Sequence, residues 1–302
     1  MDKNNQDLLK KIETMMKEFS KGQKLIANYI LNHYDKAAFM TAARLGSIVG
    51  VSESTVVRFA TELGFDGYPK LQKALQELIR TKLTAVQRME VASDRIGDQD
   101  VLTTVLNSDM DKIRLTLEEI DKTEFQSIVN AIINAKKIYI LGVRSSAALA
   151  SFLGFYFNLL FDNVRLVHTT SVSEMFEQIL RVGSEDVVIG ISFPRYSRRT
   201  IKALQYAKKQ GSTVIAITDS NLSPLIEYST YKLIARSDMA SFVDSLVAPL
   251  SVINALIVAL AMRKKEDVYK TFEHLEHIWD EYQVYEKYTE SENEDEENKK
   301  TE

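Results

Sequence analysis

The chain has 302 residues, 45% hydrophobic and 26% charged, with a formal net charge of −4 and no cysteine. That length accommodates two domains with separate cores and that balance is ordinary for a soluble globular protein, while the lack of cysteine excludes disulfides and thiolate metal sites. Four scattered histidines argue against a metal centre, no cofactor is expected, and neither a signal core nor an apolar run of about 20 residues is present, so a cytoplasmic protein without a membrane partner is expected.

The average charge conceals an asymmetry. Residues 1 to 80 carry twelve basic against nine acidic side chains, a net +3, whereas residues 286 to 302 carry three against eight, a net −5. A mildly basic N-terminal domain is therefore masked by an acidic tail, 289–302, whose composition predicts disorder. From the N-terminus, Leu8 to Met16 reads as a helix, and Ser20 with Gln23 is a capping-box pattern that opens a second helix running through His33.

Thr41 to Phe65 reads as helix, glycine turn, helix. Thr41 is a good N-cap, Ala42, Leu45, Ile48 and Val49 recur at helical spacing, and Gly50 ends the first helix. Ser52 can cap the next, in which Val56, Phe59, Ala60 and Leu63 form one buried face and Ser54, Thr55, Arg58 and Glu62 the opposite one. Hydroxyl residues at a helix start with an arginine one turn on suit entry into a major groove, and Gly46 suits a close helix crossing. Pattern alone also fits an ordinary helical hairpin. The fuller run, Leu45-Gly46, Gly50-Val51-Ser52, Thr55-Val56-Val57-Arg58-Phe59, then Leu63-Gly64-Phe65 and Gly67-Tyr68-Pro69, resembles the helix-turn-helix of the RpiR-type transcriptional regulators. The resemblance implies double-stranded operator DNA as partner, with Ser52, Ser54, Thr55 and Arg58 as the candidate contacts. Tyr68 and Lys70 start a further helix to about Arg80, where backbone amides and a lysine can hold a phosphate; a plain surface role for Lys70 is equally open.

Between Thr81 and Gln99 the hydrophobic signal weakens, which reads as a linker or a frayed helix extension. Helices follow over Val101 to Ile120 and Glu124 to Ala135, with Asp121 and Glu124 as a second capping-box pattern. From Lys137 the period changes. Short β-branched runs at Ile138–Leu141, Val164–Val167, Val187–Ile191, Val214–Ile217 and Tyr231–Ile234 alternate with helical segments, predicting a doubly wound parallel sheet of about five strands. Ligands of such sheets bind beyond the carboxyl ends of the strands. The apolar run Ala248 to Met262 contains Asn254 and reads as a buried core helix that contributes to a dimer interface, and Val268 to Tyr288 has an aromatic helical pattern suited to packing.

After the first strand stands Gly142-Val143-Arg144-Ser145-Ser146, and after the third Ser192-Phe193-Pro194-Arg195-Tyr196-Ser197-Arg198-Arg199-Thr200. The first loop lacks the glycines of a dinucleotide-binding turn. Both loops resemble those of sugar isomerase (SIS) domains, the C-terminal domain of RpiR-type regulators, which implies that Gly142, Ser145, Ser146, Ser192 and Ser197 belong to a phosphosugar site. Arg144 stands where that pattern often has a glycine, Pro194 and Arg195 replace a serine and a glycine, and Arg199 falls where an acid is frequent. Arg144, Arg195, Arg198 and Arg199 would make the site anion-selective, and loss of the acid removes a candidate base for aldose-ketose proton transfer. Asp219, after the fourth strand, could meet ligand hydroxyls or cap a short helix at Leu222, and Ser223-Pro224-Leu225 resembles a run common there in SIS domains.

The predicted organisation is an all-α helix-turn-helix domain over 1–80, a helical linker over 81–120 and an α/β SIS domain over 121–288. The resemblance implies a transcriptional regulator, not an enzyme, controlled by an anionic small molecule such as a phosphosugar and acting as a homodimer or homotetramer. The rival reading is a sugar-phosphate isomerase with an accessory helical domain, and a purely structural helical adaptor is disfavoured by the outward Ser54, Thr55 and Arg58.

Overall fold

The computed structural model describes residues 3–168, 171–237 and 243–285. The acidic tail 289–302 lies outside them. Five helices build the first core: α1 (Lys3–Met15), α2 (Lys21–Ala37), α3 (Ala42–Val49), α4 (Glu53–Glu62) and α5 (Tyr68–Lys82). The local signals act as expected. Ser20 and Gln23 form a reciprocal capping box at α2, Thr41 caps α3, Gly50 ends it in the left-handed region, and Ser52 caps α4. A Cβ on Gly46 would lie 2.7 Å from the Val51 carbonyl oxygen, so only glycine lets the α3–α4 turn fold back onto its own helix. Leu45, Val56, Phe59 and Ala60 are fully buried with Ile26, Ile30, Leu71 and Leu75, and the Phe59 ring packs tilted against Phe19 with centroids 5.0 Å apart.

Two further helices lead onward, α6 (Ala85–Ile96) and α7 (Val101–Glu119). The weak 81–99 stretch is thus a regular helix that a Thr84/Gln87 capping box starts. α6 packs on α2, and Val91 joins the first core.

The second core surrounds a five-stranded, all-parallel sheet of order β2-β1-β3-β4-β5, with β1 Ile138–Gly142, β2 Val164–Leu166, β3 Val187–Ile191, β4 Thr213–Thr218 and β5 Tyr231–Ile234. Alternation along the strands feeds two layers. Ile138, Ile140, Ile189, Ile215 and Ile217 face α8 (Lys122–Ile133), α9 (Ser146–Leu160) and α12 (Val247–Arg263), while Tyr139, Leu141, Val188 and Val214 face α10 (Val172–Ile179) and α11 (Arg198–Lys209). Every residue of β1 and β3 is buried, which explains their unbroken apolarity. Asp121 caps α8, but Glu124 does not return the bond: its carboxylate accepts from the Lys232 backbone at the start of β5. α12 buries Val252, Ile253, Leu256 and Leu260 and exposes Val258 and Met262, and α13 (Lys265–Glu281) follows it. Among the described residues no single helix is long and apolar enough to cross a membrane.

Candidate functional site

The outward face of α4 presents Ser54, Val57, Arg58 and Thr61. Ser52 Oγ accepts from the Thr55 amide at 3.3 Å and lies 2.9 Å from the hydroxyls of both Ser54 and Thr55, so three hydroxyl groups cluster at the helix start. Ser52 and Ser54 are exposed, whereas Thr55 is half-buried and turns its methyl towards Gly22 of α2. Arg58 Nε donates to the Ser54 carbonyl at 3.4 Å, which folds the guanidinium back towards the same helix end. Val57, 38% exposed beside Arg58, went unnoticed in sequence because valine scores only as core; an exposed valine there can meet a thymine methyl group.

Two sequence expectations need correction. Tyr68 is no surface contact: it is 3% exposed and its hydroxyl donates to the Ala37 and Met40 carbonyls, tying α5 to the end of α2, and burial pushes that hydroxyl up to about 12. Thr55, expected on the outward face, is half-buried, whereas Glu62 is exposed as expected and its carboxylate also accepts from the buried Gln23 carboxamide. Lys70 remains exposed in the first turn of α5. For the α4 face we expect Arg58→Ala to weaken binding to a selected operator by roughly 1 to 3 kcal/mol, with much less effect on random duplex. Anisotropy titrations on both DNAs at one salt concentration decide it, and equal losses would reduce Arg58 to a phosphate contact.

A second site lies where the strand order reverses between β1 and β3, the switch point at which open α/β sheets form a crevice. There a cleft of about 450 Å³ is lined by Arg144, Ser145 and Ser146 after β1, by Ser192, Phe193, Pro194, Arg195 and Ser197 after β3, and by Arg88, Val143, Val243, Asp244 and Leu246. Gly142 lies beneath it: a Cβ there would sit 2.4 Å from the Ser146 carbonyl oxygen, so glycine lets the first turn of α9 close down on the strand end. Arg144 (φ 58°) and Arg195 (φ 66°) both adopt the left-handed backbone at which the SIS pattern has glycine. The loops keep the glycine-type fold and carry an arginine on each apex.

The hydroxyls are equally well placed. Ser192 Oγ accepts from the Ser197 amide at 3.1 Å and Ser197 Oγ caps α11 through the Arg199 and Thr200 amides, which fixes both hydroxyl oxygens in the wall of the cleft. Ser145 precedes α9 without a side-chain cap, and both it and Ser146 line the cleft at that helix start. Arg198 and Arg199 do not line it, in contrast to the sequence expectation, because Ser197 starts α11 ahead of them and the helix carries their side chains elsewhere. Asp219 does not line the cleft: it is buried and accepts from the Tyr196 hydroxyl at 2.8 Å, bracing the loop that carries Arg195. Arg88, from α6, was missed altogether; its guanidinium is 1% exposed and Nη1 donates to Asp244 at 2.7 Å.

Comparison with known proteins identifies the two domains that carry these sites. Residues 6–82 match the model of the helix-turn-helix domain of the rpiR family, and residues 131–259 match that of the SIS domain. The chain is 26% identical over 277 residues to an uncharacterized HTH-type transcriptional regulator of Haemophilus influenzae, covering 87% of this chain and 92% of that one. A similarly named protein of Caldanaerobacter subterraneus is 24% identical over 280 residues, covering 90% and 96%. Among solved structures, the Vibrio vulnificus NanR protein complexed with ManNAc-6P superposes with a TM-score of 0.56 at 24% identity, over 90% of this chain and 98% of that one. The sugar isomerase domain of an RpiR transcription factor from Sphaerobacter thermophilus gives 0.56 at 26% identity over 59% and 99%. With both family regions in this order and full-length relatives of the same kind, the chain belongs to the RpiR family of helix-turn-helix transcriptional regulators, its reading head joined to a SIS domain.

Proposed function

We propose that this regulator binds operator DNA through the α4 face and is controlled by a phosphorylated sugar held in the β1/β3 cleft. The observation that carries the reading is the pair of left-handed arginines. A non-glycine residue at positive φ is strained, typically by 1 to 3 kcal/mol, and such strain concentrates at functional sites. With Arg88 they bring three guanidinium groups to one cleft that holds, among the described lining residues, the single carboxylate Asp244. That excess of positive charge, two serine hydroxyls and an uncapped helix start suit a phosphate group. The NanR complex with ManNAc-6P supports a phosphosugar as the class to test first.

The SIS domain is a sensor in this reading. Isomerisation needs a positioned base, no histidine lines the cleft among the described residues, and Asp244 is engaged by Arg88. An even oligomer presents two reading heads, and the apolar stripe Leu102, Leu106, Met110, Ile113 and Leu117, exposed along α7, supports contact with a second copy. A cytoplasmic location goes with this role.

A thermal-shift screen of hexose and hexosamine phosphates tests the reading. A ligand at a hundred times its dissociation constant is expected to stabilise the chain by about 2.7 kcal/mol. Turnover of the same compounds at about 1 per second or faster would instead make the protein an isomerase.

A further inference from the structure

Arg88 lies outside both matched regions, 6–82 and 131–259, yet its side chain ends in the wall of the cleft. Its helix is no loose spacer. The Thr84/Gln87 capping box fixes the start of α6, α6 packs on α2, and Val91, one turn beyond Arg88, is buried in the core of the reading head. On the other side of the pair, Asp244 and Ser245 sit between β5 and α12, where both connecting helices grip them: Arg88 of α6 donates to Asp244, and Asp109 of α7 accepts from the Ser245 hydroxyl. Arg236, just after β5, is likewise bonded to Thr116 and Glu119 of α7. One wall of the cleft is therefore made of α6 and of a short segment that α6 and α7 hold in place.

We propose that Arg88 is an effector-contacting residue, transferred from Asp244 to the anionic group of the bound ligand, and that through α6 this exchange reports occupancy of the cleft to the reading head. The inference rests on the cleft being the effector site. A guanidinium offers five donors in a planar fork and binds phosphate at two points as readily as carboxylate. Arg144 and Arg195 already bias the cleft towards a dianion, so a phosphate that enters competes with the single negative charge of Asp244 for the same fork. Once displaced, Asp244 faces an anion of like charge, and any shift of its segment is felt at α7 through Ser245 and Asp109. The two states then differ in a contact that the ligand itself makes, which is the condition for a ligand to shift an equilibrium.

The exchange predicts opposite signs for two substitutions. Arg88→Gln removes a ligand contact, whereas Asp244→Asn removes a charged competitor for that contact while keeping a similar shape. Calorimetric titration of the full chain with ManNAc-6P and with inorganic phosphate is expected to show binding about ten- to a hundredfold weaker in Arg88→Gln, and several-fold tighter in Asp244→Asn than in the parent. Arg88→Lys, which keeps the charge and loses the fork, should fall between Arg88→Gln and the parent, and replaces Arg88→Gln if that chain does not fold. Unchanged affinity in the Arg88 variants overturns the proposal, and so does a shift of the same sign in Asp244→Asn, the behaviour of a purely structural brace. If the probes bind the parent and lose affinity on Arg195→Gly but not on Arg88→Gln, the cleft remains the effector site and only the role of Arg88 falls. Absence of binding to both the parent and Asp244→Asn contradicts the role of Arg88 and the anion site together.

Discussion

A chain carrying Arg144→Gly together with Arg195→Gly is expected to melt higher than the parent and to bind its effector between about two and four powers of ten more weakly. Each arginine contributes a charge-assisted contact of roughly 1.5 to 3 kcal/mol to an anion, and the loss of two gives that range if they act independently. The gain in stability has a separate origin. Left-handed backbone costs an L-residue roughly 1 to 2 kcal/mol and glycine almost nothing, and the added entropy of glycine in the unfolded chain returns only part of that difference. A net gain of about 0.5 to 1 kcal/mol per site is expected. Opposite movements of stability and affinity separate a functional arginine from a structural one. A lower melting temperature, or unchanged ligand affinity, would mean that the two side chains hold the loops together and do not hold a ligand.

Phe59→Ala should cost the reading head about 3 to 5 kcal/mol. The ring is fully buried, packs tilted against Phe19, and lies on the inner face of the helix whose outer face carries Arg58. Small domains hold only about 5 to 15 kcal/mol in all, so operator binding should fall with the fold of the head, while the sheet domain keeps its effector site. Arg58→Ala offers the contrast, with operator binding lowered and stability unchanged. Thermal unfolding followed by circular dichroism, with anisotropy titration on the same samples, reads both. Full operator affinity in Phe59→Ala would show that α4 does not depend on this core.

Much of this architecture is written locally. The helix-turn-helix is legible because each end has its own residue: Thr41 and Ser52 as caps, Gly50 as stop, Gly46 at the crossing. The central strands β1, β3 and β4 are legible because parallel strands buried on both faces must be continuously apolar, and all five predicted runs form strands with ends shifted by no more than a residue. The switch point then locates the cleft, so Arg144, Ser145, Ser146, Ser192, Arg195 and Ser197 could be gathered from loops fifty residues apart. What sequence could not supply depends on tertiary partners. Tyr68 looks like a surface aromatic at a helix start until the Ala37 and Met40 carbonyls take its hydroxyl. In sequence α6 looks like a linker or a frayed helix extension because Val86 and Met89 face outward and its buried positions include an arginine. Its Thr84-x-x-Gln87 capping box was the available clue, yet nothing local indicates that Arg88 crosses to Asp244, 156 positions away.

The central claim is that occupancy of the cleft changes how the reading heads engage DNA. Its most direct test is the operator affinity of the full-length chain, measured by fluorescence anisotropy at fixed salt without effector and with saturating effector, on a duplex selected by the protein itself. A coupling free energy of about 1 to 3 kcal/mol predicts a change of roughly 5- to 150-fold in operator Kd, and reciprocity predicts that operator DNA changes the effector Kd by the same factor. An effector that binds the cleft and leaves operator affinity unchanged would contradict the account.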